Sequence, residues 1–373
     1  MNVIAVIENN IIATITIREA LMKALLDKGF KVTVLTSGNN NDMEIARLRG
    51  FDVIDVDSST QNPVGVLNYI KNLRKGLKHS GANVCLTFTI RPAIWGNIVT
   101  RSLKIPTVTN ITGIGPLFER KNIAYRAARL LYKFVLQKTS KIFFQNNEDM
   151  DIFLKKKYIK AGVAETIPGS GVDHNFYSPR EKKENHQKFS FLFISRLVKD
   201  KGILEFVNAA RILRNEIDAE FKILGPLWLQ NLKQNTVSKD ELQQWIDEGI
   251  IKYLGEAKDV RQYIAEADCI VLPSYREGTS NVLLEASSME KPCITTDTAG
   301  CRDVVTDGVT GFLCRVRDEK DLADKMKKMF RLTEAQRIEM GRKGREKMIV
   351  KYDKQIVINA YLTAINKLTG KVI

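Results

Sequence analysis

The sequence predicts an α/β fold made of two successive Rossmann-like, doubly wound domains. Three observations carry this. At 373 residues the chain is too long for one ordinary core and suits two domains of roughly 150 to 200 residues. Short apolar runs alternate with longer stretches of helical period, the signature of βαβ units on a parallel sheet. The same rhythm then starts again in the second half of the chain.

In the first half, Val3–Ile7, Lys31–Thr36, Val53–Val56, Val84–Phe88, Thr107–Asn110 and Lys141–Phe144 read as strands. Helical patterns lie between most of them, as in Ile17–Leu26, where leucines and alanines recur at helical spacing. A domain boundary is expected near residues 166 to 188. There IPGSGVDHNFYSP is rich in Gly, Pro and Ser, and REKKENHQK after it carries no hydrophobic residue. The rhythm resumes at Phe189–Ile194, Glu220–Leu224, Ile251–Leu254, Cys269–Leu272, Cys293–Thr296 and Phe312–Cys314. The tail from Thr333 to Lys371 reads as helical throughout. From Asp353 on, Ile356, Val357, Ala360, Tyr361, Ala364, Ile365 and Leu368 form an apolar stripe that must dock on another surface. Packing back on the first domain satisfies it. The domains are therefore expected at 1–170 with a C-terminal helix at about 353–371, and at 171–352.

Composition narrows the class. Hydrophobic residues make up 44% and charged residues 27%, a globular balance. No apolar run reaches the roughly 18 residues of a spanning helix. MNVIAVIENN lacks a basic region and reads as a first strand rather than a signal peptide, which places the protein in the cytosol. The five cysteines are odd in number and form no C-x-x-C, so reduced buried thiols are expected. Three histidines make a multi-histidine metal site improbable. The net charge is +15, and residues 1–177 carry +10 of it. Arg120, Lys121, Arg126, Arg129, Lys133, Lys138 and Lys141 follow one another with no acid before Glu148. An anionic membrane, a nucleic acid or a phosphorylated acceptor would each match such a surface.

Several segments could carry chemistry. In open α/β sheets ligands bind beyond the carboxyl ends of the strands. SRLVKDKG, residues 195–202, follows the first strand of the second half and offers Arg196 and Lys201 to one diphosphate, or forms a solvated basic turn. Gly225, after Leu224, lets backbone approach a ligand or simply makes a turn. LPSYREGTSNVLLEA, residues 272–286, is a strand, a loop and a helix start near Thr279 or Ser280. A helix N-terminus suits an anion, and Glu277 and Glu285 could accept hydrogen bonds from sugar hydroxyls. Two solvated glutamates are the bland alternative. Asp55 and Asp57 form a D-x-D with no third ligand in view, and no metal is expected. The Asn122–Lys138 segment reads as a helix with Arg126, Arg129 and Lys133 on one face and Ala127, Leu131 and Val135 across from them. It fits an anionic membrane surface or an ordinary surface helix. It carries no recognised nucleic-acid motif.

Together, IPGSGVDHNF, SRLVKDKG, LPSYREGTSNVLLEA with its Glu-x7-Glu, and TAGCRDVVTDGVTGFL resemble glycosyltransferase family 4 in order and spacing. The resemblance implies the GT-B fold: two Rossmann-like domains facing across a cleft, whose closure completes the site. It implies a retaining, metal-independent transferase with no cofactor and a UDP-sugar as donor. Arg196 and Lys201 would neutralise the donor diphosphate, and Glu277 would contact the donor sugar beside its anomeric carbon. Thr279, Ser280 and Asn281 would donate to phosphate and sugar, and Glu285 would bond the ribose hydroxyls. Gly225 is placed with this donor set. Family members usually carry a Gly-Gly pair after the first strand, where this chain has Asn9 and Asn10; these, with Thr112 and Gly113, are the acceptor-side candidates. The ITGIGPLF run followed by a basic helix is similar to members that extend polyprenyl-diphosphate-linked sugars in bacterial glycan assembly. Such an acceptor would explain the basic first half, with Arg120, Lys121, Arg126, Arg129 and Lys133 facing an anionic membrane at the inner face of the plasma membrane. A soluble acceptor, a UDP-sugar epimerase and, on charge alone, a nucleic-acid-binding protein are the rival readings.

Overall fold

The computed structural model describes residues 2–57, 62–114, 123–181, 188–227 and 235–370. The chain divides into two compact units, Met1–Ser170 with Lys354–Ile373, and Gly171–Asp353. Both are parallel sheets with helices between the strands, as the apolar rhythm requires.

The first unit holds β1 (Val3–Ile7), β2 (Lys31–Thr36), β3 (Asp52–Asp55), β4 (Val84–Phe88), β5 (Thr107–Ile111), β6 (Lys141–Phe144) and β7 (Ala164–Thr166). Their order in the sheet is β3-β2-β1-β4-β5-β6-β7, every pairing parallel. Alternate residues of β1 serve opposite faces. Ile4 and Val6 join a core with Met22, Leu25 and Tyr361, while Ala5 and Ile7 join one with Tyr69, Leu73 and Leu77. Covering both faces is what lets β1 and β4 be apolar along almost their whole length. The long helix Pro63–Ser80 is delimited by its ends: Asn62 accepts from the Gly65 N–H, Pro63 opens the first turn, and Gly81 closes it at φ 64°.

The second unit holds β8 (Phe189–Ile194), β9 (Ala219–Leu224), β10 (Lys252–Tyr253), β11 (Cys269–Leu272), β12 (Cys293–Thr296) and β13 (Gly311–Cys314), in the order β10-β9-β8-β11-β12-β13. One continuous core fills it, from Phe191 and Phe193 through Phe206, Ile270 and Leu283 to Met326 and Met348. All five cysteines are buried and free. Among the described residues no helix is long and apolar enough to cross a membrane.

The tail, read as helical throughout with a last segment set apart from Asp353 on, is two helices, Glu334–Lys351 and Lys354–Thr369. The break at Tyr352 and Asp353 has a long-range cause. The Val172 N–H donates to the Tyr352 carbonyl at 2.7 Å, and His174 Nδ1 lies 2.6 Å from Asp353. The first residues of the second unit thus pair with its last ones. Beyond the break, the last helix returns to the first unit and buries Val357, Ile358, Tyr361, Ala364 and Ile365. Ile356, expected in that stripe, is exposed, and Ile358 takes its place.

Tyr361 anchors this helix. Its ring packs on Phe143 at 4.9 Å and on Phe88 at 5.9 Å, and its hydroxyl accepts from Asn110 Nδ2 at 2.7 Å. Tyr361→Ala should lower unfolding stability by about 3–5 kcal/mol, as other buried aromatic truncations do. Tyr361→Phe should lower it by about 1–3 kcal/mol, because the Asn110 amide loses that acceptor in the dry core. Urea denaturation of the two variants measures both.

Candidate functional site

The direction of winding reverses twice, between β1 and β4 in the first unit and between β8 and β11 in the second. Such switch points open a crevice beyond the carboxyl ends of the strands, where ligands of open α/β sheets bind. Asn9 and Asn10 follow β1, and Arg196, Lys201 and the segment 277–285 follow β8 and β11, at these two places; Gly225, Thr112 and Gly113 follow the neighbouring strands β9 and β5.

In the second unit, Arg196 and Lys201 follow β8, and Glu277 follows β11. The fold brings two of them into contact: Lys201 Nζ lies 2.5 Å from Glu277 Oε1, across 76 residues of chain. Backbone packing enforces the meeting. Gly202, at φ 75°, crosses the end of β11 so closely that a Cβ there would sit 2.0 Å from the Pro273 carbonyl oxygen. The Tyr275 N–H donates to the Asp200 carbonyl at 2.9 Å, and Ser274 Oγ reaches the same carbonyl at 3.2 Å. On the other side the Glu277 N–H donates to the Ala299 carbonyl at 3.4 Å. Gly300, at φ 75°, leaves no room for a side chain: a Cβ would lie 2.3 Å from the Gly278 carbonyl oxygen. Thr296 Oγ1 bonds the Ser274 carbonyl from below. The loop bearing Glu277 is therefore clamped between the turns after β8 and β12. Arg196 is exposed beside this cluster in sequence. Gly225 ends β9, donates its N–H to the Gly255 carbonyl and accepts from Tyr253 Oη at 3.0 Å.

The helix Asn281–Ser288 starts four residues after Glu277. Ser280 is its N-cap and is buried, yet its side chain makes no capping hydrogen bond to the helix. The first-turn N–H groups keep their donor capacity for an anion. Thr279 is buried and Asn281 half-buried at the same corner. Glu285 lies one turn on. The residue is half-buried. Desolvation pushes its pKa up to about 7, the Tyr177 hydroxyl that bonds it opposes the rise, and the Asp259 charge adds to it. Arg261 does not neutralise Glu285, because its guanidinium is bound to Asp259 at 2.5 Å and stacks on Phe176 at 3.6 Å.

In the first unit, Asn9 donates from Nδ2 to Thr89 Oγ1 at 2.8 Å, tying the end of β1 to the end of β4. Asn10 is the exposed N-cap of the short helix Ile11–Ile15 and accepts from the Ile12 N–H at 2.8 Å. Thr112 and Gly113 follow β5 and are half-buried. Sequence reasoning passed over Glu8, which stands at the same switch point and is 2% exposed. Arg18 Nε approaches its carboxylate at 3.6 Å, and Arg18 also donates to Ser170 Oγ at 2.7 Å and covers the Phe88 ring at 4.2 Å. Burial raises the Glu8 pKa against the pull of Arg18. The available signal was a single acid directly following the apolar run VIAVI at a strand's carboxyl end.

Arg120 and Lys121 lie outside the described residues. Arg126, Arg129 and Lys133 lie on the helix Ile123–Leu136, with Arg126 exposed and Lys133 Nζ 5.9 Å from the Tyr158 ring centre. Of the face expected across from them, Val135 is buried and Leu131 is half-buried against the core, whereas Ala127 is exposed; Tyr132 and Leu136 complete the buried side. At the D-x-D, Asp55 Oδ1 accepts from the Asp57 N–H at 2.9 Å. Among the described residues no group of three or more His, Cys, Asp or Glu side chains is clustered to hold a metal.

Comparison with known proteins gives this geometry its family. Residues 188–331 match the family model for glycosyl transferases group 1, and residues 4–146 match that for glycosyl transferase 4-like domains. The chain is 25% identical over 369 residues to N,N'-diacetylbacillosaminyl-diphospho-undecaprenol alpha-1,3-N-acetylgalactosaminyltransferase of Campylobacter jejuni, covering 92% of this chain and 93% of that one. It is 30% identical over 264 residues to UDP-Gal:alpha-D-GlcNAc-diphosphoundecaprenol alpha-1,3-galactosyltransferase of Escherichia coli, covering 66% of each. Among solved structures, a glycosyltransferase from Rickettsia africae superposes with a TM-score of 0.80 at 17% identity over 98% of both chains. HepE from Anabaena, in complex with UDP and glucose, superposes with a TM-score of 0.81 at 16% identity over 98% of this chain and all of that one. The strand orders, the two switch-point clusters and these matches together make the chain a glycosyltransferase of the GT-B fold that belongs to glycosyltransferase family 4.

Proposed function

We propose that this protein transfers a hexose or N-acetylhexosamine from a UDP-sugar to a polyprenyl-diphosphate-linked sugar, with retention at the anomeric carbon, from the inner face of a bacterial plasma membrane. The observation that carries the donor half is the Lys201–Glu277 contact at the β8/β11 switch point. Lys201 and Arg196 neutralise the diphosphate together with the N–H groups at the start of Asn281–Ser288. Glu277, held 2.5 Å from Lys201, is then placed where a sugar attached to that diphosphate begins. Thr279, Ser280 and Asn281 contact phosphate and sugar, and Glu285 accepts from the ribose hydroxyls. Departure of UDP concentrates negative charge on the diphosphate, and preorganised cations and N–H dipoles lower that barrier.

The acceptor half rests on the two undecaprenol-diphosphate relatives and on the basic first unit. Their names support retention as well. UDP-galactose carries its sugar in the α configuration, and the Escherichia coli relative is named for an alpha-1,3 product. In the first unit, Asn9, Thr112, Gly113 and the buried Glu8 offer polar groups to the acceptor sugar. Asn10, occupied as a helix cap, contributes its backbone.

Three measurements test this reading. A panel of UDP- and GDP-sugars assayed for nucleotide release should give UDP release that depends on a polyprenyl-diphosphate monosaccharide. Release with a soluble acceptor alone would point to the soluble-acceptor transferase. Arg196→Ala and Lys201→Ala should each slow turnover by about 10² to 10³, and turnover within a few-fold of the parent would remove them from the diphosphate site. The Glu285 carboxyl titrates near 7 in the free protein, and ribose binding favours its ionised form. UDP affinity should therefore weaken as pH falls below 7, by up to about tenfold per unit. Glu285→Gln should flatten that dependence, read by calorimetric titration across the pH range.

A further inference from the structure

The outer side of the helix Ile123–Leu136 carries more than cations. Leu130 is 68% exposed and Phe134 59% exposed, one turn apart on the same face, with exposed Ala127 beside them and Arg126 and Lys133 at the margins. Two large exposed apolar side chains on a helix bordered by cations are the pattern of a helix that lies in a bilayer interface. The helix buries its other side on the protein through Tyr132, Val135 and Leu136, so its orientation is fixed.

At the carboxyl end of this helix a cavity of about 230 Å³ opens beside the apolar pair. Arg101, Lys104 and Lys138 line it with Thr100, Thr107 and Ser140, and no carboxylate is among its described walls. Arg101 joins the two features, because its guanidinium also lies 5.5 Å over the Phe134 ring. The walls are rigid. Thr107 Oγ1 donates to Thr100 Oγ1 at 2.8 Å, and the Asn97 amide beneath is bonded to Ala93, Thr109 and Thr139. The cavity sits at the amino ends of β5 and β6. It therefore lies at the opposite edge of the sheet from Thr112 and Gly113. The helix spans that distance, about 21 Å for 14 residues.

We propose that this cavity is a second binding site, for the phosphate of an anionic lipid headgroup, and that Leu130 and Phe134 enter the acyl region beside it. The three cations that line the cavity, with the exposed Ser140 hydroxyl, match a phosphomonoester or phosphodiester, and the adjoining apolar pair matches the chain that such a headgroup carries. A free phosphate would satisfy the cations but leave Leu130 and Phe134 in water, which favours the lipid. The inference rests on the membrane-bound acceptor of the proposed function. It adds a site that fixes the protein on the bilayer independently of the acceptor.

Co-sedimentation tests it, using the full chain with vesicles of equimolar phosphatidylglycerol and phosphatidylcholine against vesicles of phosphatidylcholine alone. The wild type should bind the anionic vesicles and lose binding as salt rises. Lys104→Glu/Lys138→Glu should weaken that binding at least about tenfold, and Leu130→Ser/Phe134→Ser should weaken it on the same vesicles. Both variants should keep wild-type UDP release with a short-chain, water-soluble acceptor analogue, which shows that they are folded. Equal vesicle binding by the wild type and the charge variant overturns the site. So does an absence of wild-type binding while detergent-solubilised lipid acceptor is still turned over, and that outcome leaves the proposed function standing. A lipid-free dimer that Leu130→Ser/Phe134→Ser converts to monomer would show a second copy, not a bilayer, covering the face.

Discussion

Contact between the loops after β8 and β11 organises the second unit. Lys201 and Glu277 are each mostly withdrawn from solvent, with side-chain exposures of 22% and 12%. Either charge alone would be costly there, so the pair is stable only while both loops hold their places. The backbone supplies that condition. Gly202 against Pro273, Gly300 against Gly278, and the bonds from Tyr275 and Ser274 to Asp200 fix the loops. The Glu277 carboxylate then meets the Lys201 cation, four residues before a helix start, because three strand ends of a single sheet are locked together.

The two units use strand ends differently. In the second, the switch point holds an ion pair that keeps partial contact with solvent, Lys201 with Glu277. In the first, the switch point holds a deeply buried carboxylate, Glu8, supported by Arg18 and surrounded by Phe88 and the last helix of the chain. The last helix also reaches the strand that leads to the proposed acceptor side. Tyr361 bonds Asn110 in β5, the strand that leads to Thr112 and Gly113. The cationic excess is also set apart from this carboxylate, on a helix surface and at the opposite edge of the sheet.

Most strands were legible because a parallel sheet covered on both faces needs unbroken β-branched and aromatic runs. Val3–Ile7, Val84–Phe88, Phe189–Ile194 and Cys293–Thr296 begin and end where their apolar runs do. β7, with the sequence AET, escaped notice because an edge strand with one neighbour needs no such run. The last helix was set apart near Asp353 by its apolar stripe, but the pairing that breaks the chain there was not legible, because its partners Val172 and His174 lie far away in sequence. Local pattern also set the edges of two apolar stripes wrongly: Ile356 and Ala127 face solvent, while the rest of each expected stripe is buried or packs on a core. At the site, Lys201 and Glu277 could be picked out by motif, but their contact could not. Glu8 was missed because a single acid after a strand is ordinary until its burial is known.

The central claim is that Lys201 and Glu277 act as one unit in handling the donor. A double-mutant cycle tests it most directly, measuring UDP-release turnover for Lys201→Ala, Glu277→Ala and the double variant at saturating acceptor. If the two side chains act through their contact, the double variant should be only roughly as slow as the slower single variant. If the two losses multiply, the residues act independently, and the contact is an incidental pairing of two loop charges.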